Sequence, residues 1–142
     1  MTLIHRIPAK TVRILLVEDA GSVRRALRHV LGSEPDFEVI GETGDGEHAV
    51  ALAAALRPDI VLMDLILPGI NGMEAARRIR AAGSASDVIM LTVFGGAQAR
   101  AAALEAGIAL FLEKGDTLDD LAERIRSVHE RNIPPLPDCL KG

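Results

Sequence analysis

The amino-acid sequence predicts an α/β fold, a doubly wound parallel sheet of five strands with five helices on its two faces. Two observations support this prediction. Short apolar segments, typical of strands that are buried on both faces, alternate with segments of helical periodicity along the central part of the chain. Strands joined by helices in this way form right-handed crossovers, so the strands run parallel and the helices cover both faces.

The first strand is predicted at Val12–Val17, a mostly apolar run that is followed by two acids, Glu18 and Asp19. In residues 20–31, apolar side chains recur at helical spacing with arginines between them, which indicates an amphipathic helix. The arginines are expected to lie on the solvated face of this helix. After a short break, residues 37–40 form the second predicted strand.

The next unit begins with a turn at residues 44–46, and apolar residues at i, i+3, i+4 and i+7 from Ala49 predict the second helix. Ile60–Met63 is the third predicted strand, and it ends at Asp64. The remaining elements are a helix that includes Met73, Ala76 and Ile79, a strand at 88–91, an alanine-rich helix at 97–106, a strand at 108–112 and a helix with residues 118, 121, 125 and 128 inward.

The composition indicates one mildly acidic domain in a reducing compartment. The 142 residues carry 16 basic and 20 acidic side chains, a formal net charge of −4, and 49% of them are hydrophobic, which is enough for an ordinary core. The single cysteine, Cys139, excludes a disulfide framework and a CxxC zinc site. We therefore expect a cytoplasmic domain at residues 11–131, between a tail at 1–10 and a proline-rich tail or linker at 132–142.

Membrane and nucleic-acid-binding classes are excluded by the same composition. No apolar run approaches the roughly 20 residues that span a bilayer, and residues 1–10 lack the apolar core of a signal peptide. The chain has no Trp, no Tyr, only 3 Phe and a negative charge, so it lacks the stacking residues and basic surface of a nucleic-acid binder. We expect no membrane contact and no nucleic-acid binding through this chain itself.

Polar side chains follow four of the predicted strands at the point where each strand ends. Glu18 and Asp19 follow the first strand, Asp64 the third, Thr92 the fourth and Lys114 the fifth. The carboxyl ends of parallel strands meet at one edge of the sheet, where open α/β sheets bind their ligands. We therefore expect these five side chains to lie close together.

The charges of this cluster indicate its chemistry. Three carboxylates and one ammonium sum to −2, so the cluster would repel itself without a divalent cation, and oxygen ligands favour Mg²⁺, with Mn²⁺ as the alternative. Asp64 is the expected nucleophile toward phosphorus, because Glu18 and Asp19 are adjacent and better placed to hold the cation. Lys114 and the Thr92 hydroxyl would then bind the phosphoryl oxygens.

Together these residues resemble the response-regulator receiver domain of two-component signalling over about residues 11–131. The matching segments are the acidic pair Glu18-Asp19, the spacing Asp64-x-x-x-Pro68-x-x-x-Gly72, Leu91-Thr92 and Phe111-Leu112-Glu113-Lys114. The resemblance implies a flavodoxin-like strand order of 2-1-3-4-5. The residue that follows Thr92 is Val93, and in this position the chain is similar to some NarL/FixJ-type receivers.

The resemblance also implies specific roles at the acidic edge. Asp64 would accept a phosphoryl group from a sensor histidine kinase. Mg²⁺ would be ligated by Asp19, Asp64 and the backbone carbonyl of Ile66, with Glu18 acting chiefly through metal-bound water. Such a domain is not an enzyme toward other substrates, since it catalyses only its own phosphorylation and dephosphorylation.

Thr92 and Phe111 would form the switch pair of this domain. The hydroxyl would move toward the phosphate and the aromatic ring would move inward, which would change the surface formed by the fourth helix, fifth strand and fifth helix. The arginine-rich first helix offers a further contact, with a kinase or with a second copy in a homodimer.

The expected output is transcription, with this chain as the receiver part of a DNA-binding regulator. A stand-alone single-domain regulator and a phosphorelay intermediate are alternatives. A haloacid-dehalogenase-like phosphatase would need Asp-x-Asp, whereas this chain has Asp64-Leu65-Ile66. A pseudo-receiver that is never phosphorylated is disfavoured by the joint presence of Asp64, Thr92 and Lys114.

Overall fold

The computed structural model describes residues 11–83, 85–92, 96–113 and 120–131. Five strands alternate with five helices there, as predicted from the sequence. The strands are β1 (Val12–Val17), β2 (Phe37–Thr43), β3 (Ile60–Met63), β4 (Asp87–Thr92) and β5 (Leu110–Glu113). The helices are α1 (Gly21–Gly32), α2 (Gly46–Leu56), α3 (Gly72–Ala81), α4 (Ala97–Glu105) and α5 (Leu121–Arg131). None of these described helices has the length and apolar character that a membrane crossing requires.

All neighbouring strands of the sheet are parallel, and their order is β2-β1-β3-β4-β5. This order confirms the predicted flavodoxin-like topology. Val17 of β1 lies beside Thr43 of β2 on one side and Met63 of β3 on the other. The strand order reverses at β1, so the crevice that opens beyond the carboxyl ends of β1 and β3 is the position where such folds bind ligands.

Each face of the sheet has its own hydrophobic core. Alternate residues of a strand point to opposite faces, so Leu15 and Val17 pack toward α2 and α3, while Ile14 and Leu16 pack toward α1 and α5. These four side chains are at most 1% exposed. Because the central strands are buried on both faces, they read in the sequence as continuous apolar runs, which is why β1 and β3 have their predicted bounds.

The edge strands depart from the predicted bounds. β2 continues to Thr43, three residues beyond the predicted segment 37–40, and β5 begins at Leu110 rather than at 108. The added part of β2, Gly41-Glu42-Thr43, carries no apolar pattern and is joined to β1 by backbone pairing. An edge strand pairs on one side only, so its length depends on its neighbour more than on its own side chains. Residue 118 lies outside the described residues.

Arg126 of α5 connects that helix to the loop between α1 and β2. Its Nε donates to Asp36 Oδ2 at 2.8 Å, its Nη2 donates to Asp36 Oδ1 at 2.7 Å, and Nη2 also bonds Glu34. The guanidinium carbon lies 4.8 Å from the centre of the Phe37 ring. These hydrogen bonds lower the pKa of the Asp36 carboxyl and raise the pKa of the Arg126 guanidinium. α5 is therefore fixed at the amino edge of the sheet.

Arg126→Ala is expected to lower the free energy of unfolding by about 1 kcal/mol, because a paired guanidinium and a cation–π contact are lost together. The pKa of Asp36 is lowered in the folded protein, so the contribution of this pair is present above the ordinary aspartate pKa, about 4, and is lost progressively as the pH falls from there through the lowered pKa of the folded state. Urea unfolding at pH 7 and at pH 3 measures both effects. A loss of equal size at the two pH values would contradict the ion pair.

Candidate functional site

The carboxyl ends of β1 and β3 bring three predicted site residues to one edge. The N–H of Asp64 donates to the carbonyl of Val17 at 3.0 Å, so Asp64 leaves β3 directly beside the end of β1, where Glu18 and Asp19 follow. The N–H of Glu18 donates in turn to the carbonyl of Thr43 at 2.9 Å. The acidic residues therefore lie at the switch point of strand order, as the sequence predicted for a ligand-binding edge.

Thr92 and the segment before Lys114 reach the same edge from β4 and β5. Thr92 is the last residue of β4 and pairs with Glu113, the last residue of β5. Lys114 itself lies outside the described residues, directly after Glu113. The structure thus brings together Glu18, Asp19, Asp64 and Thr92, and it places the end of the strand that precedes Lys114 beside them.

The four residues differ in burial. Glu18 is 3% exposed, Asp64 8% and Thr92 0%, whereas Asp19 is exposed. Buried carboxylates need hydrogen-bond donors. Oε2 of Glu18 accepts from the N–H of Ala20 at 3.1 Å, and Oδ1 of Asp64 accepts from the N–H of Ile66 at 3.4 Å. Each carboxylate is thus held by main-chain donors of the loop that follows its own strand.

Gly72 sets the distance between β3 and α3. A Cβ atom at this position would lie 2.2 Å from the carbonyl oxygen of Asp64 and 3.0 Å from Leu65 Cα. The N–H of Gly72 also donates to the carbonyl of Leu65 at 2.8 Å. The first residue of α3 therefore packs directly on the main chain of the phosphoacceptor candidate, which gives the Asp64-to-Gly72 spacing a physical reason.

The donor set fits a small hard cation. Asp19 and Asp64 supply carboxylate oxygens at neighbouring strand ends, and Ile66, 53% exposed, lies two residues after Asp64. Mg²⁺ characteristically takes one or two carboxylates and keeps several waters. In the described part of the chain, no group of three or more His, Cys, Asp or Glu side chains is arranged to hold a metal ion. Two neighbouring carboxylates, Asp19 and Asp64, match that requirement, and the magnesium site stays a prediction.

Phe111 of the predicted switch pair is already buried, at 3% exposure, and it contacts α4 through Arg100. The guanidinium carbon of Arg100 lies 5.2 Å from the ring centre, its Nη1 donates to the Phe111 carbonyl at 3.1 Å, and its Nη2 lies 3.7 Å from Glu113 Oε1. Of the helix's alanines, Ala103 alone is fully buried. Arg100 is therefore a principal link between α4 and β5, and no pattern in the sequence indicated it.

Arg100→Ala is expected to speed hydrogen exchange of the α4 amides about fivefold, because losing an exposed ion pair and a cation–π contact lowers the local opening free energy by about 1 kcal/mol. Hydrogen exchange followed by mass spectrometry of peptides that cover residues 97–105 measures this change. Gln98→Ala, an exposed position of the same helix, is the matched control and should leave the exchange rate unaltered. Equal rates in both variants would show that Arg100 does not anchor α4.

Arg24 corrects the prediction that the arginines of α1 lie on a solvated face. Its side chain is 28% exposed, its Nη1 donates to the Glu18 carbonyl at 2.7 Å, and its Nε donates to Glu42 Oε1 at 3.2 Å. Arg25 and Arg28 are exposed as predicted. Helical spacing does not show which of these arginines is bonded, because the acceptors of Arg24 lie at the ends of β1 and β2 rather than on its own helix.

Comparison with protein families gives one match that covers most of the chain. Residues 14–126 match the response regulator receiver domain. LiaR, a transcriptional regulatory protein of Bacillus subtilis, is 39% identical over 131 residues, which are 92% of this chain and 62% of LiaR. A protein-glutamate methylesterase/protein-glutamine glutaminase of Nocardioides is 34% identical over 125 residues, 87% of this chain and 34% of that protein. The chain thus spans less than two thirds of these relatives.

Solved structures agree with the sequence comparison. The signal receiver domain of NarL from Mycobacterium tuberculosis superposes with a TM-score of 0.83 at 25% identity. The alignment covers 86% of this chain and 98% of that domain. The predicted resemblance to receivers, including those of the NarL type, is therefore confirmed.

Proposed function

Because this chain belongs to the response regulator receiver domain family of two-component signalling, we propose that Asp64 accepts a phosphoryl group from a sensor histidine kinase. The observation that supports this proposal is the placement of Asp64 beside Glu18 and Asp19 at the switch point of the sheet. We place the reaction in the cytoplasm, where such kinases present their phosphohistidine.

The proposed transfer is a displacement at phosphorus. A carboxylate oxygen of Asp64 forms the new O–P bond, and the N–P bond to the kinase imidazole breaks, with the electron pair returning to the ring nitrogen. The Thr92 hydroxyl and the Lys114 ammonium stabilise the oxygens that gain charge. Asp19, Asp64 and the Ile66 carbonyl would hold Mg²⁺, with Glu18 acting through metal-bound water, and the bound ion would neutralise charge on the phosphoryl oxygens.

In the proposed switch, the new charge on Asp64 changes the α4–β5–α5 surface. Thr92 is fully buried at the end of β4, and we propose that a shift of its hydroxyl toward the phosphoryl group changes how α4 packs. Phe111 is already inward in this structure, so we propose that phosphorylation stabilises that position and acts mainly through α4. Arg126 holds α5 at the amino edge of the sheet, so we propose that α4 is the helix of this surface that responds.

The proposed output is transcription, through a DNA-binding segment of a longer regulator. LiaR, a transcriptional regulatory protein, supports this proposal because its matching segment is 39% identical. A homodimer or kinase contact through α1 belongs to the same proposal, since Arg25 and Arg28 are exposed on that helix. A stand-alone regulator would have the same site and a different partner.

The direct experiment is incubation with acetyl phosphate and Mg²⁺, followed by intact mass spectrometry. The expected result is a phosphate-sized gain that forms with Mg²⁺ and does not form when a chelator is present from the start. A protein that gains no mass under these conditions, or with a panel of phosphorylated kinases, would instead be a pseudo-receiver.

A further inference from the structure

Arg24 of α1 bonds the loop between β1 and α1, residues 18–20, which we call the acidic loop. Nη1 of Arg24 donates to the main-chain carbonyl of Glu18 at 2.7 Å, and Nε of the same guanidinium donates to Glu42 Oε1 at 3.2 Å. One side chain thus links the acidic loop to the end of β2. Glu42 is fixed independently, since Arg28 donates to its other oxygen, Oε2, at 2.9 Å.

The loop is also packed tightly against the segment that follows β2. A Cβ atom at Gly44 would lie 3.3 Å from Arg24 Nη1, 3.3 Å from Asp19 Cα and 3.4 Å from the Glu18 carbonyl oxygen. The guanidinium and the main chain of the acidic pair therefore both lie directly against residue 44. The side chain of Glu18 turns back to the N–H of Ala20 within the loop, so it does not replace the contact from Arg24.

We propose that Arg24 is a positioning residue for the cation site: it holds the main chain of Glu18 and Asp19 in the arrangement that binds Mg²⁺. This inference rests on the proposed function. A planar guanidinium carries several donors in a fixed geometry, so it can bond two acceptors on different elements at once, and a lysine ammonium cannot reproduce that geometry. Partners that orient metal ligands commonly change metal affinity by a factor of ten or more when they are replaced.

The charge of Arg24 acts in the opposite direction. A positive charge near the acidic pair opposes binding of a cation, so Arg24→Ala would combine an electrostatic gain with a positional loss. Arg24→Lys keeps the charge and removes the two-point geometry. The lysine variant therefore measures positioning alone.

The test compares Mg²⁺ affinity, measured by isothermal titration calorimetry, in the wild type, Arg24→Lys and the matched control Arg28→Lys. Arg28 shares Glu42 with Arg24, and its Nη1 bonds that carboxylate at the end of β2. We expect Arg24→Lys to bind Mg²⁺ about tenfold more weakly and Arg28→Lys to stay within about twofold of the wild type. Thermal unfolding of both variants shows whether a stability loss accompanies the change, since either substitution disturbs an ion pair to Glu42.

Two results would overturn the inference: an affinity within about twofold of the wild type in Arg24→Lys, or an equal loss in both variants. The proposed function is tested separately by the wild type. If the wild type binds Mg²⁺ and becomes phosphorylated while Arg24→Lys is unchanged, only the role of Arg24 is wrong. If the wild type binds no Mg²⁺, the proposed function fails and the inference fails with it.

Discussion

Asp64→Asn is expected to abolish phosphorylation by acetyl phosphate. The amide has nearly the shape of the carboxylate and can still accept a hydrogen bond from the N–H of Ile66, but its oxygen carries no full charge and is a poor nucleophile. We expect the rate of phosphate incorporation to fall by more than about a thousandfold. Intact mass spectrometry after incubation with acetyl phosphate and Mg²⁺ measures the loss directly.

Asp45→Asn is the matched control for this prediction. Asp45 caps α2 close to the same edge, where its Oδ1 accepts from the N–H of Glu47 at 3.3 Å. Asparagine caps helices as well as aspartate does, so this variant should fold normally and remain phosphorylated. A phosphate-sized gain that persists in Asp64→Asn would place the acceptor on another residue.

Gly72→Ala is expected to cost about 3 kcal/mol of folding free energy, because its methyl group would overlap the main chain of β3. The added carbon would lie 2.2 Å from the Asp64 carbonyl oxygen, an atom that no side-chain rotation can move away. α3 would have to withdraw from the end of β3, which would also displace the phosphoacceptor. Urea unfolding measures the stability, and the rate of phosphorylation reports the displacement.

Gly32→Ala provides the control for the glycine substitution. Gly32 is the last residue of α1, and a Cβ atom there would meet nothing within 4 Å. Alanine has the higher helix propensity, so this variant should be as stable as the wild type or slightly more stable. A comparable loss in both variants would indicate a general intolerance of the fold rather than the contact between Gly72 and Asp64.

The two helices of the α4–β5–α5 surface are each held by one arginine, and the two arginines differ in exposure. Arg126 bonds Asp36 and Glu34 with a side chain that is 31% exposed, at the amino edge of the sheet. Arg100 holds α4 at the carboxyl edge with a side chain that is 49% exposed, next to the proposed site. Exposed ion pairs contribute less than half-buried ones. We therefore expect α4 to respond to phosphorylation more than α5.

Much of the fold was predictable from the sequence because its determinants are local. β1 and β3 are buried on both faces, so their apolar runs coincide with their structural bounds. The edge strand β2 was predicted three residues short, since residues 41–43 are held by backbone pairing to β1 rather than by apolar side chains. The helices followed from spacing: α1 and α4 lie within one residue of their predicted bounds, whereas α2 begins at Gly46, three residues before the apolar pattern that predicted it.

The residue types of the candidate site were predictable. A parallel topology alone places the carboxyl ends of the strands, and the polar side chains that follow them, at one edge of the sheet. Glu18, Asp19, Asp64 and Thr92 lie at one edge for that reason. Their differing burial could not be predicted. Glu18 is enclosed and Asp19 is exposed, although they are adjacent in the chain, because the loop turns between them.

The sequence by itself determined the strand and helix pattern, the parallel topology and the residue types at the carboxyl edge. Only the tertiary structure decided which arginines hold that edge in place. Arg24, Arg25 and Arg28 are chemically identical and lie on one helix, yet Arg24 bonds the Glu18 carbonyl of the acidic loop, whereas Arg28 bonds Glu42. A hydrogen bond between elements depends on positions within a few tenths of an ångström, and helical periodicity carries no information at that scale.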